Sequence, residues 1–306
     1  MKRLDRQSFL GRDSDHVLDA ATVGLVGLGG GGSHHAQQLA HVGIGGFVLV
    51  DPDTIGLTNT NRSVGGTLAD VEAELPKVDI AARVIRGINP GARIKTLESD
   101  WRLVLDELKD CDVILGAVDS FTGRDELEKF ARRFLIPYVD VGMDVLELPD
   151  GQFLISGQVI MSMPGGPCLR CCHFITDERV QREAERYGAA GGRPQVVWPN
   201  GLLASTAVGI VLELLTPWHR SRSGFVYMEY DGNRRTVSVS HWMKDLEHRQ
   251  CPHYPPVETG EPGFDGRRQG GLGVDTSRGL AVRHEVSDER FAVTRAAMPR
   301  DGSGSL

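Results

Sequence analysis

The chain has 306 residues, 40% hydrophobic and 25% charged, with a formal net charge of −7, enough for one large α/β domain with a real core or for two smaller domains. The negative balance offers no global basic field for nucleic acid, and no apolar run approaches the ~20 residues of a bilayer crossing. The opening Met1–Gln7 has no apolar stretch after its charges, unlike a signal peptide, so a cytosolic location and no membrane partner are expected.

In chain order, Thr22–Val26 reads as a short buried strand, followed by a run of glycines, Gly27 to Gly32, and a helix from Ser33 to about His41. Gly46–Val50 is a second strand, and together these make a βαβ unit with a right-handed crossover. The spacing predicts a helix over 76–88, with Pro76 in its first turn and a stop at Asn89-Pro90-Gly91. Arg93–Leu97 is a strand, Trp101–Leu108 a short helix, Asp112–Leu115 a buried strand, Asp125–Phe134 a helix and Pro137–Val141 a strand. This alternation predicts an α/β fold, a Rossmann-like doubly wound and mostly parallel sheet. After Gly142 the pattern changes to an antiparallel extension. Gln152–Met163 alternates like a hairpin arm, Asp177–Tyr187 is a polar helix, and Gly201–Leu215 is an apolar helix. Phe225–Tyr230 and Arg235–Ser240 flank a hairpin turn at Asp231-Gly232-Asn233. Residues 1–254 are expected to form the domain and 255–306 a loosely structured tail.

Gly27-x-Gly29-x-x-Gly32 follows a strand and opens a helix. Glycines there permit a tight turn and close approach of phosphate, and the helix N-terminus offers amides and a positive dipole. Asp51 ends the next strand, where an acid can bind ribose hydroxyls. By itself this fits NAD, FAD, S-adenosylmethionine or ATP. The continuation favours ATP: Asp51-Pro-Asp53 leads to Asn59 and Arg62, then to Lys77, and Asp119 sits at the end of the central strand. A triphosphate needs Arg and Lys to neutralise it, and a carboxylate to hold Mg²⁺ beside the phosphates. A nicotinamide-dependent oxidoreductase, the alternative from the glycine loop alone, needs none of these. His34 and His35 adjoin the loop and read as helix surface, not as metal ligands. The five cysteines, Cys111, Cys168, Cys171, Cys172 and Cys251, form an odd and clustered set. That argues against a disulfide framework and favours metal or thiol chemistry.

Taken jointly, these motifs resemble the ThiF/MoeB/HesA superfamily, the bacterial relatives of E1 enzymes. The opening Asp5-Arg6-Gln7, the Pro76-Lys77 helix, Ala117-Val-Asp119-x₄-Arg124, Gly157-Gln158-Val159, Pro167-Cys168-Leu-Arg-Cys171 and Cys251-Pro252 extend the likeness from Asp5 to about Tyr254. The resemblance implies an adenylyltransferase that attaches AMP to the C-terminal carboxylate of a ubiquitin-like or sulfur-carrier protein ending in glycine, releasing pyrophosphate. A short peptide or a modified tRNA base are alternative carboxylates. It implies that Asp51 binds the ATP ribose, with Gly27, Gly29, Gly32 and Asp53 in the same nucleotide site. Asn59, Arg62 and Lys77 would contact the phosphates and Asp119 would hold Mg²⁺. Arg6 would reach the ATP of the other subunit in a homodimer, and an E2-like protein is a further possible partner.

The sequence departs from that family in two places. Cys168, Cys171 and Cys251 match three of four zinc ligands, in an element formed by 164–173 and 251–254. The fourth position is Tyr254, a poor ligand; His253 beside it is a normal one, and Cys172 and His173 are other candidates, as is a site that has decayed. Second, the stretch Gly191–Gly201 holds no cysteine where thioester-forming members carry one. Either the enzyme stops at the adenylate, or Cys172 serves as nucleophile.

Overall fold

A computed structural model describes residues 3–185, 194–219, 224–246, 249–254 and 259–260. These fall within one compact unit, Met1–Arg268; a second unit, Gln269–Leu306, lies outside the described residues. The expected tail, 255–306, is therefore outside them too, apart from Thr259 and Gly260.

The chain opens with a 3-10 turn, Asp5–Leu10, and α1 (Ser14–Ala20). The βαβ unit follows: β1 (Thr22–Val26), α2 (Gly30–Val42) and β2 (Gly46–Val50). Then come α3 (Leu68–Glu72), α4 (Lys77–Ile88), β3 (Arg93–Leu97), α5 (Leu105–Leu108), β4 (Val113–Gly116), α6 (Phe121–Arg133) and β5 (Tyr138–Glu147). The remainder is β6 (Phe153–Ser162), α7 (Asp177–Glu185), α8 (Val197–Leu215), β7 (Phe225–Asp231), β8 (Thr236–Val239) and α9 (Met243–Leu246).

Among the described residues eight strands form one sheet in the order β3-β2-β1-β4-β5-β6-β7-β8. β3 to β5 run parallel and β6 to β8 antiparallel. Strands buried on both faces need continuous apolar runs, which is why Thr22–Val26 and Gly46–Val50 read so clearly. The order reverses between β1 and β4, and ligands bind such sheets outside the carboxyl ends of the strands at that switch point. On one face of the sheet Leu25 of β1 packs with Leu39, Ile85, Leu203 and Val211, from α2, α4 and α8, into a core. The other packs Ile114, Leu127, Phe130 and Tyr138, chiefly from α6 and its strands.

Several boundaries differ from the sequence expectation. α2 begins at Gly30, three residues before Ser33, because Gly29 acts as N-cap and Ser33 N donates to Gly29 O at 3.1 Å. α6 begins at Phe121, since Ser120 caps it by accepting from Gly123 N at 3.0 Å. α8 begins at Val197, so Pro199 sits in its first turn, where no N–H is missed. With 19 residues and a mean hydropathy of 1.3, α8 is long and apolar enough to cross a bilayer, contrary to the expectation that no run comes close. Here Leu203, Ala204, Ala207 and Val208 lie buried against the sheet and α2. β5 runs on to Glu147 as one arm of a long hairpin with β6. His34 and His35 are not surface residues: His35 is 1% exposed in the stripe of α2 that also holds Ala36 and Leu39. Tyr187 and the rest of the segment before Pro194 lie outside the described residues.

Candidate active site

The motif residues converge on one cleft at the switch point, lined by Gly27, Gly29, Asp51, Asp53, Asn59, Arg62, Lys77 and Asp119 among others. Its floor is the turn between β1 and α2. Gly27 has φ +86°, and a Cβ there would lie 2.5 Å from Ala117 O. A Cβ on Gly32 would lie 1.8 Å from Gly27 O, so this glycine lets α2 close on the turn. Gly29 differs, because a Cβ there would meet nothing within 4 Å. Its open side faces the cleft, where a phosphate could approach the backbone at the start of α2.

Asp51, 4% exposed, shapes this floor: its carboxylate accepts from Leu28 N at 2.6 Å and Asp53 N at 2.9 Å. Burial pushes its carboxyl upward, and Lys77 and the two amides pull against that. Lys77, the first residue of α4, lies 2.5 Å from Asp53 Oδ2 and 3.6 Å from Asp51 Oδ1. Arg62 donates from Nη1 to Thr58 O at 2.6 Å and to Asn61 Oδ1 at 3.0 Å. Its Nε is buried with no hydrogen-bond partner among the described residues. A buried guanidinium N–H left unpaired beside an open glycine turn fits an anion. The Asn59 side chain accepts from Gly56 N at 2.9 Å, which folds the loop that presents Arg62.

Across the cleft, Asp119 follows β4 and is exposed at the rim. Behind it lies a buried polar network that sequence reading missed. Arg124 donates to Asp140 Oδ2 at 2.6 Å, and Asp140 also accepts from Tyr138 Oη at 3.0 Å and Gln158 Nε2 at 3.4 Å. Asn200 and Gln195, at and before the start of α8, and Trp101 and Arg102, after β3, also line the cleft without having been singled out as site residues. Arg124 closes the Ala117-Val-Asp119-x₄-Arg124 motif. Arg6 is exposed on the first 3-10 turn and does not line the cleft of its own chain.

The second constellation lies apart from this cleft. Cys168, Cys171, Cys251 and His253 bring one ligand atom each within 4.8 Å of one another. The Sγ atoms of Cys168 and Cys171, and of Cys171 and Cys251, are 3.6 Å apart, and His253 Nδ1 is 3.5 Å from both Cys168 Sγ and Cys171 Sγ. A tetrahedral ion with bonds of about 2.3 Å to sulfur needs sulfurs about 3.8 Å apart, so the donors fit zinc. Tyr254 is turned away: its ring lies under the Arg132 guanidinium at 4.9 Å. Cys172 is 1% exposed and donates to Leu169 O. It lines neither the cleft nor the four-atom cluster. Cys111 is likewise core, 5% exposed, its thiol pushed up to about 12 chiefly by burial.

The family model described as the ThiF family matches residues 3–253. The chain belongs to the ThiF family. Among curated ThiF-like relatives, it is 32% identical over 164 residues to the SAMP-activating enzyme E1 of Haloferax volcanii, covering 53% of this chain and 57% of that one. It is 30% identical to the molybdopterin-synthase adenylyltransferase of Haemophilus influenzae over 42% of this chain and 52% of the relative. The match thus spans about half the length of these two proteins. With the molybdopterin-synthase adenylyltransferase of Escherichia coli the identity is 29%, over 76% of this chain and 88% of that one. Among solved structures, E. coli MccB with ATP superposes with a TM-score of 0.63 at 19% identity, covering 78% of this chain and 71% of that one. At that identity the likeness concerns the ThiF fold alone.

Proposed function

We propose that this chain is an ATP- and Mg²⁺-dependent adenylyltransferase that activates the C-terminal carboxylate of a ubiquitin-like or sulfur-carrier protein ending in glycine. What carries the proposal is the opposition across one cleft of the Gly29 turn, Arg62 and Lys77 on one wall and Asp119 on the other. In the reaction a carboxylate oxygen attacks the α-phosphorus of ATP. The bond between α-phosphorus and the bridging oxygen breaks, and pyrophosphate leaves with the electron pair. The α2 amides, Arg62 and Lys77 hold the phosphates, Asp51 takes the ribose hydroxyls, and the protein contributes position and charge stabilisation rather than covalent chemistry. Asp119 would hold the Mg²⁺ that neutralises charge on the reacting phosphate.

An oxidoreductase is disfavoured by Arg62 and Lys77 at the cleft, which a nicotinamide cofactor does not call for. A tRNA threonylcarbamoyladenosine dehydratase of E. coli is 35% identical over 40% of this chain and 46% of that one, so a tRNA-base carboxylate stands as an alternative substrate beside a short peptide. The reaction ends at the acyl-adenylate. A mixed anhydride is already a good acyl donor, and Cys172 is buried away from the cleft. The exposed Arg6 fits a homodimer in which it serves the other subunit's ATP. Zinc held by Cys168, Cys171, Cys251 and His253 would join the α9 end of the chain to the loop after β6. A cytosolic setting agrees with reduced thiols at these positions.

The test is exchange of labelled pyrophosphate into ATP in the presence of a glycine-terminated carrier. Asp119→Ala is expected to slow exchange by about 10²-fold or more, as loss of a transition-state charge contact does. Undiminished exchange in that variant would remove Asp119 from the mechanism.

A further inference from the structure

Asp119 lies on a turn of four residues, Ala117 to Ser120, between β4 and α6. On the strand side the turn is tied to β1, where Ala117 N donates to Val26 O at 2.8 Å. On the helix side it depends on the first turn of α6, which carries Arg124. That guanidinium reaches across to β5, donating to Asp140 Oδ2 at 2.6 Å and to Val141 O at 3.1 Å. Glu183 of α7 adds a second tie by accepting from Phe121 N at 3.0 Å and Thr122 N at 3.2 Å.

The Arg124 tie is built at some cost to the core. Asp140 and Tyr138 are 0% exposed and Arg124 is 8% exposed. Gly142 leaves room for this tie, because a Cβ there would lie 2.7 Å from Arg124 Nη2 and 2.5 Å from Gln158 Nε2 and displace them. Gly116 leaves room too, since a Cβ would lie 2.3 Å from Tyr138 Oη. Buried ion pairs are seldom the most stabilising way to fill a core, and apolar residues of similar volume often do as well. This pair instead abuts the cleft, with Arg124, Gly142 and Asp119 all on its wall.

We propose that Arg124, held by Asp140, is a positioning residue that sets the Asp119 carboxylate for the divalent ion of bound nucleotide. The inference rests on the adenylation reading for the identity of that nucleotide. Loss of the guanidinium removes the tie to β5 on the helix side of the 117–120 turn and leaves that side to the Ser120 cap and Glu183, while the Gly29 turn, Arg62 and Lys77 keep their own supports. The consequence is selective: nucleotide still binds, but its metal is held poorly.

The test uses the full chain with a non-hydrolysable ATP analogue, α,β-methylene ATP, and Mn²⁺ as a spectroscopic stand-in for Mg²⁺. Calorimetry gives the affinity for metal-free analogue, and electron paramagnetic resonance of free Mn²⁺ gives metal affinity in the protein–analogue complex. In Arg124→Ala the analogue affinity should stay within about threefold of wild type, while Mn²⁺ affinity falls about tenfold or more, as loss of a charge-assisted hydrogen bond predicts. Asp140→Asn, which keeps the shape of the side chain, should shift in the same direction. Added guanidinium at tens of millimolar should restore Mn²⁺ affinity in Arg124→Ala but not in Asp119→Ala, and sodium chloride should restore neither. Unchanged Mn²⁺ affinity in Arg124→Ala, or a parallel loss of analogue and metal without guanidinium rescue, overturns the proposal. A wild-type protein that does not bind the analogue overturns the adenylation reading and this proposal with it.

Discussion

The Lys77 ammonium lies 2.5 Å from the Asp53 carboxylate, at the mouth of the glycine turn. Lys77 is 11% exposed and Asp53 63% exposed, so the pair is asymmetric. The lysine is held in the wall, with the buried Asp51 carboxylate also 3.6 Å away, while Asp53 is solvated. A phosphate entering beside Gly29 would meet Lys77 in the same cleft. Lys77→Met is expected to weaken ATP binding about tenfold or more, the worth of a charge-assisted hydrogen bond. Calorimetry with the non-hydrolysable analogue checks this; wild-type affinity in the variant would place Lys77 outside the phosphate site.

His35 gives the fold a sensitivity to acid. Burial first, and the neighbouring His34 second, push its imidazole down to about 3. Its Nε2 has no hydrogen-bond partner among the described residues. The fold accepts only the neutral ring, whereas the unfolded chain takes up a proton near the ordinary imidazole value of 6.5. The stability is thus intact above 6.5 and falls as pH drops toward about 3, with a slope of about 1.4 kcal/mol per pH unit. Between pH 6.5 and 5 the wild type should lose about 1.6 kcal/mol more than His35→Leu. Urea unfolding at both pH values measures it, and parallel losses in the two proteins would contradict it.

For the thiol–imidazole cluster, metal analysis of protein purified without chelator should find about one zinc per chain. Cys168→Ser and His253→Ala should both lose it and unfold at lower temperature, since binding free energy at such a site is folding free energy. Tyr254→Phe should keep it, because the Tyr254 ring stacks on Arg132 outside the cluster. Metal-free wild-type protein of unchanged stability would mean the site has decayed.

Cys172 offers a separate check. It is 1% exposed, its Sγ donating to Leu169 O. Enzyme incubated with ATP and its carrier should show no thiol-sensitive conjugate on denaturing, non-reducing electrophoresis, while AMP-linked carrier appears by mass spectrometry. A conjugate that vanishes in Cys172→Ala would make Cys172 the nucleophile.

Much of this architecture was legible in the sequence because its signals are local. Thr22–Val26 and Gly46–Val50 are continuous apolar runs, and the glycine turn between them has few other uses. The sequence predicts helix starts at Ser33, Asp125 and Gly201, later than the observed Gly30, Phe121 and Val197, because glycine, serine and proline read as breakers. In the fold Gly29 and Ser120 are N-caps beside free amides, and Pro199 sits in a first turn, where its missing N–H costs nothing. His35 was misjudged because an adjacent histidine pair looks polar, yet it shares the buried stripe of Ala36 and Leu39. The Arg124–Asp140 pair was not legible. The two residues are 16 apart in sequence and meet only because β5 lies beside β4, a relationship no local pattern encodes.

The central claim is attack of a carboxylate on the α-phosphorus of ATP. The most direct measurement is exchange of labelled pyrophosphate into ATP by the wild-type protein, with a glycine-terminated carrier and with the same carrier amidated at its C-terminus. Exchange with the free carboxylate and none with the amide is the predicted result. Formation of ADP and phosphate, or exchange indifferent to the amide, would contradict it.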